Sequence, residues 1–178
     1  MNRLTRPVAL ALTILLAGCS PMNIDDFQGK EPPLVLERFF DGDSEGWGIM
    51  QSRFGALQRQ FRIDAVGRWD EAANTLHLTE TYRFDDGQVD RLEWTIRRLD
   101  NGRYEGREPR LLEPAQGEQA GNAFHWTYRR NVPDAEGDTT LGFDDWFWLQ
   151  PGDVLIARAS VTKLGIEVAT MSVFYRKR

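Results

Sequence analysis

The chain reads as an all-β protein, an up-and-down antiparallel meander of eight or nine strands closing into a barrel, with a short helix ahead of the first strand. Three observations predict this. From Gly46 onward, segments rich in aromatic and β-branched residues follow one another with no helical period. Compact turn signals separate them, among them Asp85-Asp86-Gly87, Asp100-Asn101-Gly102, Gln150-Pro151-Gly152-Asp153 and Leu164-Gly165. Such turns join sequence neighbours, and closing the meander removes the edges that would otherwise aggregate. With 178 residues, 41% of them hydrophobic, the chain supports one domain with a core.

The first eighteen residues differ from the rest. Met1–Pro7 carries Arg3 and Arg6 and no acid, Val8–Leu16 is apolar but for Thr13, and Ala17-Gly18 offers a small-residue cleavage site. This is the layout of a secretory signal, and its apolar run is about half the ~20 residues of a spanning helix. Leu16-Ala17-Gly18-Cys19 matches the bacterial lipobox at all four positions, and Cys19 is the chain's single cysteine. Lipidation of Cys19 is therefore expected, with cleavage before it and anchoring to a membrane. Ser20 in place of an aspartate points to the bacterial outer membrane, periplasmic face. More than one acyl chain is needed for stable anchoring, which a lipidated N-terminal cysteine supplies.

With Cys19 spent on the anchor, thiol catalysis and disulfides within one chain are excluded. Without residues 1–18, 20 basic residues stand against 27 acidic ones, a net charge of −7 where the whole chain has −5. An acidic body argues against nucleic acid as a partner. Residues 19–33, polar and holding Pro21, Gly29, Pro32 and Pro33, read as a flexible tether reaching about 50 Å, and residues 34–178 as the barrel domain.

Leu34–Phe40 follows a Pro-Pro pair and has the apolar content for two helical turns that plug one barrel end. The strands are read at Trp47–Arg53, Leu57–Trp69, Thr75–Phe84, Val89–Leu99, Arg103–Glu108, Phe124–Val132, Thr139–Leu149, Val154–Lys163 and Ile166–Arg176. Between Pro109 and Gly121 the pattern fails, and a long connection is expected.

Period-two alternation separates inside from outside. In the third strand Leu76, Leu78, Tyr82 and Phe84 share a face with Glu80; in the seventh, Leu141, Phe143, Phe147 and Leu149 share one with Asp145; in the eighth, Val154 and Ile156 share one with Arg158. Trp94 lies with Leu92 and Ile96. A barrel of about eight strands is either filled by side chains or holds one small ligand. Glu80, Tyr82, Trp94, Phe143, Asp145, Phe147 and Arg158 are thus the candidate ligand-binding residues. The charges among them have two readings: a polar anchor for a lipophilic molecule's head group, or a structural ion pair that fixes register. Trp146 and Trp148 are expected to form an exposed patch or to pack under the 109–121 connection. That patch carries the alternative function, a protein–protein interaction module of the cell envelope.

Catalytic and metal-binding patterns are missing. His77 and His125 fall singly inside strands, Asp144-Asp145 point to opposite faces, and there is no nucleophile elbow, phosphate loop or dinucleotide fingerprint. No cofactor is implied, and a hydrolase would need a reactive constellation that the sequence lacks.

The segments Gly46-Trp47-Gly48, Val66-Gly67-Arg68-Trp69, Phe84-Asp85-Asp86-Gly87, Gly121-Asn122, Asp144-Asp145-Trp146 and Thr162-Lys163-Leu164-Gly165 resemble an uncharacterised proteobacterial lipoprotein family, domain of unknown function 3833. The likeness runs from Leu34 to Arg178. It implies a single periplasmic lipoprotein domain without an assigned activity. The opening also resembles lipocalins, whose first strand begins with Gly-x-Trp after a short helical segment. Gly46-Trp47 has the position without the intervening residue, and Gly67-Arg68-Trp69 has the spacing at the end of the second strand. This likeness implies a lipocalin-like barrel around a lipid or other apolar small molecule.

Overall fold

The computed structural model describes residues 21–134 and 137–178. The expected signal segment, residues 1–18, and Cys19 lie outside the described residues. Ten strands form one closed antiparallel barrel: β1 (Gly42–Ser52), β2 (Leu57–Asp70), β3 (Thr75–Phe84), β4 (Val89–Arg98), β5 (Arg103–Arg107), β6 (Ala115–Ala120), β7 (Ala123–Asp134), β8 (Gly137–Gln150), β9 (Val154–Lys163) and β10 (Ile166–Lys177). Each pairs with its sequence neighbour, and β1 closes on β10 through Trp47↔Phe174 and Gly48↔Val173. The meander and its closure are as the turn signals predict. The strand count is ten rather than eight or nine.

The additional strand, β6, lies inside the expected 109–121 connection. Its sequence, AQGEQA, hides the alternation because its inward residues are Ala115 and Gly117. They are small because aromatic rings from β7 lie over this wall. A Cβ on Gly117 would meet the Phe124 ring at 2.7 Å, and one on Gly106 of β5 would meet the Trp126 ring at 2.8 Å. Large residues on one strand fill the space that small ones leave on the next, as close packing requires.

The turns follow their sequence chemistry. Leu164 and Gly165, between β9 and β10, both take positive φ (52° and 79°), the two-residue reversal that matches strand twist. Asn101 and Gly102 do the same between β4 and β5 (60° and 70°). On β3 and β4 the outward positions His77, Thr79, Arg83, Arg91, Glu93 and Arg97 are polar, while Leu76, Leu78, Leu92, Trp94 and Ile96 face in and are buried. This pattern is the inverse of a lipid-facing barrel wall.

One end of the barrel is plugged. The helix α1 (Leu36–Phe40) buries Leu36, Phe39 and Phe40, and its carbonyl at Phe40 sits directly over Gly67. Its buried Glu37 accepts from Arg98 Nη1 at 2.8 Å and from the Tyr104 hydroxyl at 2.9 Å, which fastens the plug to β4 and β5.

Residues 21–33 are a correction to the expected tether. Ile24–Phe27 forms a 3-10 helix closed by a capping box from Asn23 and Asp26. Phe27 packs on Trp146 with ring centroids 5.8 Å apart, its carbonyl and the Lys30 backbone press against Gly121, and the Leu34 N–H donates to the Gly121 carbonyl at 2.9 Å. Glycine at position 121 (φ 49°) lets the segment lie flat on the β6–β7 turn. The composition of a linker thus belongs to a strap docked beside the plugged end.

Candidate functional site

Inside the barrel the filling changes with height. Near the plug it is solid. Trp94 and Trp126 lie 4.7 Å apart, Phe124 contacts Tyr104 and Phe147 at 5.4 and 5.8 Å, and a void of only about 20 Å³ remains. Toward the opposite end lies a cavity of about 180 Å³ walled by Met50, Phe84, Leu141, Phe143, Met171 and Val173 among others. The two interiors possible for a barrel of this size are therefore both present, stacked one above the other.

A polar belt separates them. β3 supplies Glu80 and Tyr82, β4 Trp94, β7 Trp126 and Tyr128, β8 Asp145, and β10 Tyr175. Each points inward because its strand neighbours point out. Glu80 is buried and accepts from the Tyr175 hydroxyl at 2.9 Å. Burial raises its carboxyl pKa, against hydrogen bonds from Tyr175, Trp94 and Tyr82. Asp145 is buried and accepts at Oδ2 from the Trp126 indole N–H (3.2 Å) and the Tyr128 hydroxyl (2.9 Å). Its other oxygen, Oδ1, is buried without a partner. Burial pushes the Asp145 carboxyl up to about 7, opposed by the bonds from Tyr128 and Trp126 and assisted by the charges of Asp144 and Glu80. Burial and the neighbouring carboxylates also hold the Tyr82, Tyr128 and Tyr175 hydroxyls protonated far beyond their usual range, so they act as donors.

Of the three arginines that border the cavity, Arg130 and Arg59 are paired with acids, although Arg59 Nε is buried without a partner, and Arg158 is exposed. Arg130, 5% exposed, pairs with Glu108 (3.3 Å) and Asp90 (3.4 Å). The Arg59 guanidinium lies over the Phe84 ring at 3.6 Å and pairs with Asp86 at 2.7 Å. Arg130 and Arg59 are thus neutralised by acids of the rim, whereas the carboxylates of the belt have no ion-pair partner among the described residues.

Six of the seven residues expected to face the lumen do so: Glu80, Tyr82, Trp94, Phe143, Asp145 and Phe147. Trp94 belongs to the solid filling, and Phe147 borders both compartments. Arg158 is a correction. Leu155, Ala157 and Val161 of β9 are buried inside, which puts Arg158 on the exposed outer face opposite Trp146 in register. Apolar residues on both faces of β9 left the choice of face ambiguous. The ion pair that would have joined it to Glu80 or Asp145 is not formed. Sequence reasoning missed Trp126, Tyr128 and Arg130, although Phe124, Trp126, Tyr128, Arg130 and Val132 alternate on one face of β7 as clearly as the residues of β3.

Trp146 is also corrected. It is buried under Phe27 and stacked on His125 at 4.2 Å, so no exposed Trp146–Trp148 patch exists, and its cover is the N-terminal strap rather than the 109–121 segment. The exposed aromatic residues on the barrel wall are instead Trp47 and Phe174, beside a shallow open groove of about 610 Å³ on the outer face of β10, β1, β2 and β3. That groove is larger than the lumen cavity but presents no buried charge. The lumen cavity over Asp145 is the candidate site.

Fold and interior together define a small antiparallel β-barrel plugged at one end and hollow at the other, an architecture compatible with ligand binding. The chain belongs to the DUF3833 family, a protein of unknown function, whose model matches residues 13–177. No curated protein matches the chain. Among solved structures it is similar to a protein of unknown function from the DUF3598 family of Nostoc punctiforme PCC 73102, with a TM-score of 0.57 and 12% identity. That alignment covers 83% of this chain and 51% of the other, so the chain spans about half the length of the solved relative. At this identity the likeness concerns the fold alone.

Proposed function

We propose that this protein is a lipid-anchored protein of the cell envelope whose barrel receives a small apolar molecule, or the end of a lipid, in the hollow half of its lumen. The observation that carries this reading is the lumen cavity of about 180 Å³, largely apolar in its walls and bounded by a buried carboxyl group with one oxygen unpartnered. An apolar cavity of ~150 Å³ takes benzene, so this lumen holds about seven or eight non-hydrogen atoms, and a longer molecule extends through the mouth. The lipobox Leu16-Ala17-Gly18-Cys19 supports the anchor, and Ser20 supports the periplasmic face of the outer membrane.

Native mass spectrometry of protein purified from its own membrane tests the binding. A mass adduct is expected that organic extraction removes and that Ala159→Leu, which fills the lumen next to Asp145 in register, prevents from forming. Protein free of adduct, with a lumen that takes up no apolar probe, overturns the reading. For the anchor, Cys19→Ala should move the protein from the membrane to the soluble fraction; retention in the membrane counts against it.

A further inference from the structure

We propose that the lumen selects an organic cation: a compact amine whose protonated nitrogen sits at the free oxygen of Asp145, with its apolar body against Phe143, Phe147 and the tyrosines. This rests on the reading of the lumen as a ligand site and specifies the head group that the site recognises.

The hydrogen-bonding inventory decides the sign. The tyrosine and tryptophan donors of the belt are already directed at its two carboxylates, Trp126 and Tyr128 at Asp145 and Tyr175, Trp94 and Tyr82 at Glu80. Trp126 has one N–H and gives it to Oδ2; Tyr128 has one O–H and gives it to the same atom. Tyr175 gives its proton to Glu80. What the belt still offers is acceptor capacity, Oδ1 foremost, since it is buried and unpartnered, while the one donor left over in the cavity lining, Arg59 Nε, belongs to a guanidinium already paired with Asp86. A buried acceptor in a low-dielectric site calls for a donor. An ammonium group carries only donors, whereas a carboxylate or phosphate brings only acceptors and a like charge.

Charge points the same way. Among the described residues neither Asp145 nor Glu80 forms an ion pair, and of the three arginines that border the cavity Arg130 and Arg59 are engaged by Glu108, Asp90 and Asp86, while the third, Arg158, lies on the exposed outer face. A cation entering the lumen meets carboxylates without counter-ions. An anion would have to displace Glu108 or Asp90 from Arg130. The aromatic setting adds to the preference, because Tyr128 and Phe143 stack at 4.9 Å beside the site and present ring faces that attract cations. With burial holding the Asp145 proton to about neutrality, arrival of an ammonium group also stabilises the ionised carboxylate that receives it.

The test compares three water-soluble probes built on one six-membered ring: cyclohexylamine and cyclohexanol, matched in size, and the larger cyclohexanecarboxylate. Each is titrated into the membrane-purified full chain in nanodiscs by calorimetry at pH 8. In parallel, the Trp126 indole N–H resonance is followed in the wild-type protein. Cyclohexylamine is expected to bind at least about tenfold more tightly than cyclohexanol, the gain of one charge-assisted hydrogen bond, with cyclohexanecarboxylate weakest and a shift of the Trp126 resonance on amine addition. Asp145→Asn should remove that advantage, so that cyclohexylamine binds no more tightly than cyclohexanol. The Trp126 readout needs no variant, so it decides the matter even where Asp145→Asn fails to fold. Equal or tighter binding of the alcohol or the carboxylate overturns the cation proposal and leaves a lumen site of other specificity. Failure of all three probes to bind overturns the lumen reading itself.

Discussion

Gly67 of β2 lies so close beneath the carbonyl oxygen of Phe40 that a Cβ at this position would overlap it. The missing side chain is what lets α1 descend onto the barrel end, and backbone is the obstacle, so no rotamer change can relieve a substitution. Gly67→Ala should destabilise the fold by about 2–3 kcal/mol, the cost of overpacking a filled site. Urea unfolding of the two proteins checks this; an unchanged midpoint would show that the plug does not need this approach.

Asp145 makes stability depend on pH. Its carboxyl titrates near 3.8 in ordinary surroundings and near 7 in the fold. Between those values the folded state binds more protons than the unfolded chain, so stability falls as pH rises through this window and levels off above it. The full difference corresponds to about 4 kcal/mol. Unfolding curves at pH 5 and pH 8 should show wild type weaker at pH 8, and Asp145→Asn should flatten that part of the profile.

The Tyr175 hydroxyl is the donor that the Glu80 carboxylate receives across the barrel interior. Tyr175→Phe removes it with little change of shape and should cost about 1–3 kcal/mol, as for a buried charged group losing a hydrogen bond. The loss should shrink in acid, where Glu80 is neutral. A double-mutant cycle with Glu80→Gln measures the coupling, and additive effects would refute it.

Phe27 covers Trp146, and its carbonyl rests where a side chain on Gly121 would project. Gly121→Val should therefore lift the strap. Trypsin would then cut after Lys30 far sooner than in wild type, while the barrel below stays resistant. Equal cleavage rates would mean that the strap is held by other contacts.

Much of the fold can be read in the sequence because a barrel wall repeats one simple rule. Where inward residues are large, as in Leu76, Leu78, Glu80, Tyr82 and Phe84, alternation identifies the strand and its inner face. The rule fails where packing is shared between strands. β6 contributes Ala115 and Gly117 so that Phe124 and Trp126 can fill the space, and a strand whose role is to be small leaves no apolar signature. It fails at Arg158 because β9 is apolar on both faces. The belt was half visible: Glu80 and Asp145 stand out as acids among apolar neighbours, but their donors come from strands far away in sequence, with Tyr175 95 positions from Glu80. The strap was misread because Pro, Gly and Asp suit a capped, docked segment as well as a loose one, and only Trp146 on β8 decides between them.

Under lipid anchoring the docked strap would also set which way the barrel faces. On the anchoring proposed for Cys19, only Ser20, Pro21 and Met22 separate the lipidated residue from Asn23, where the capping box begins. Those steps span at most about 14 Å, against the 50 Å of a loose tether. The protein would stand on its plugged base like a moored buoy, with the hollow half pointing into the aqueous space. Cargo would then enter and leave on the side remote from the membrane that holds the protein, and exchange would be with whatever reaches that mouth from solution or from an opposing surface.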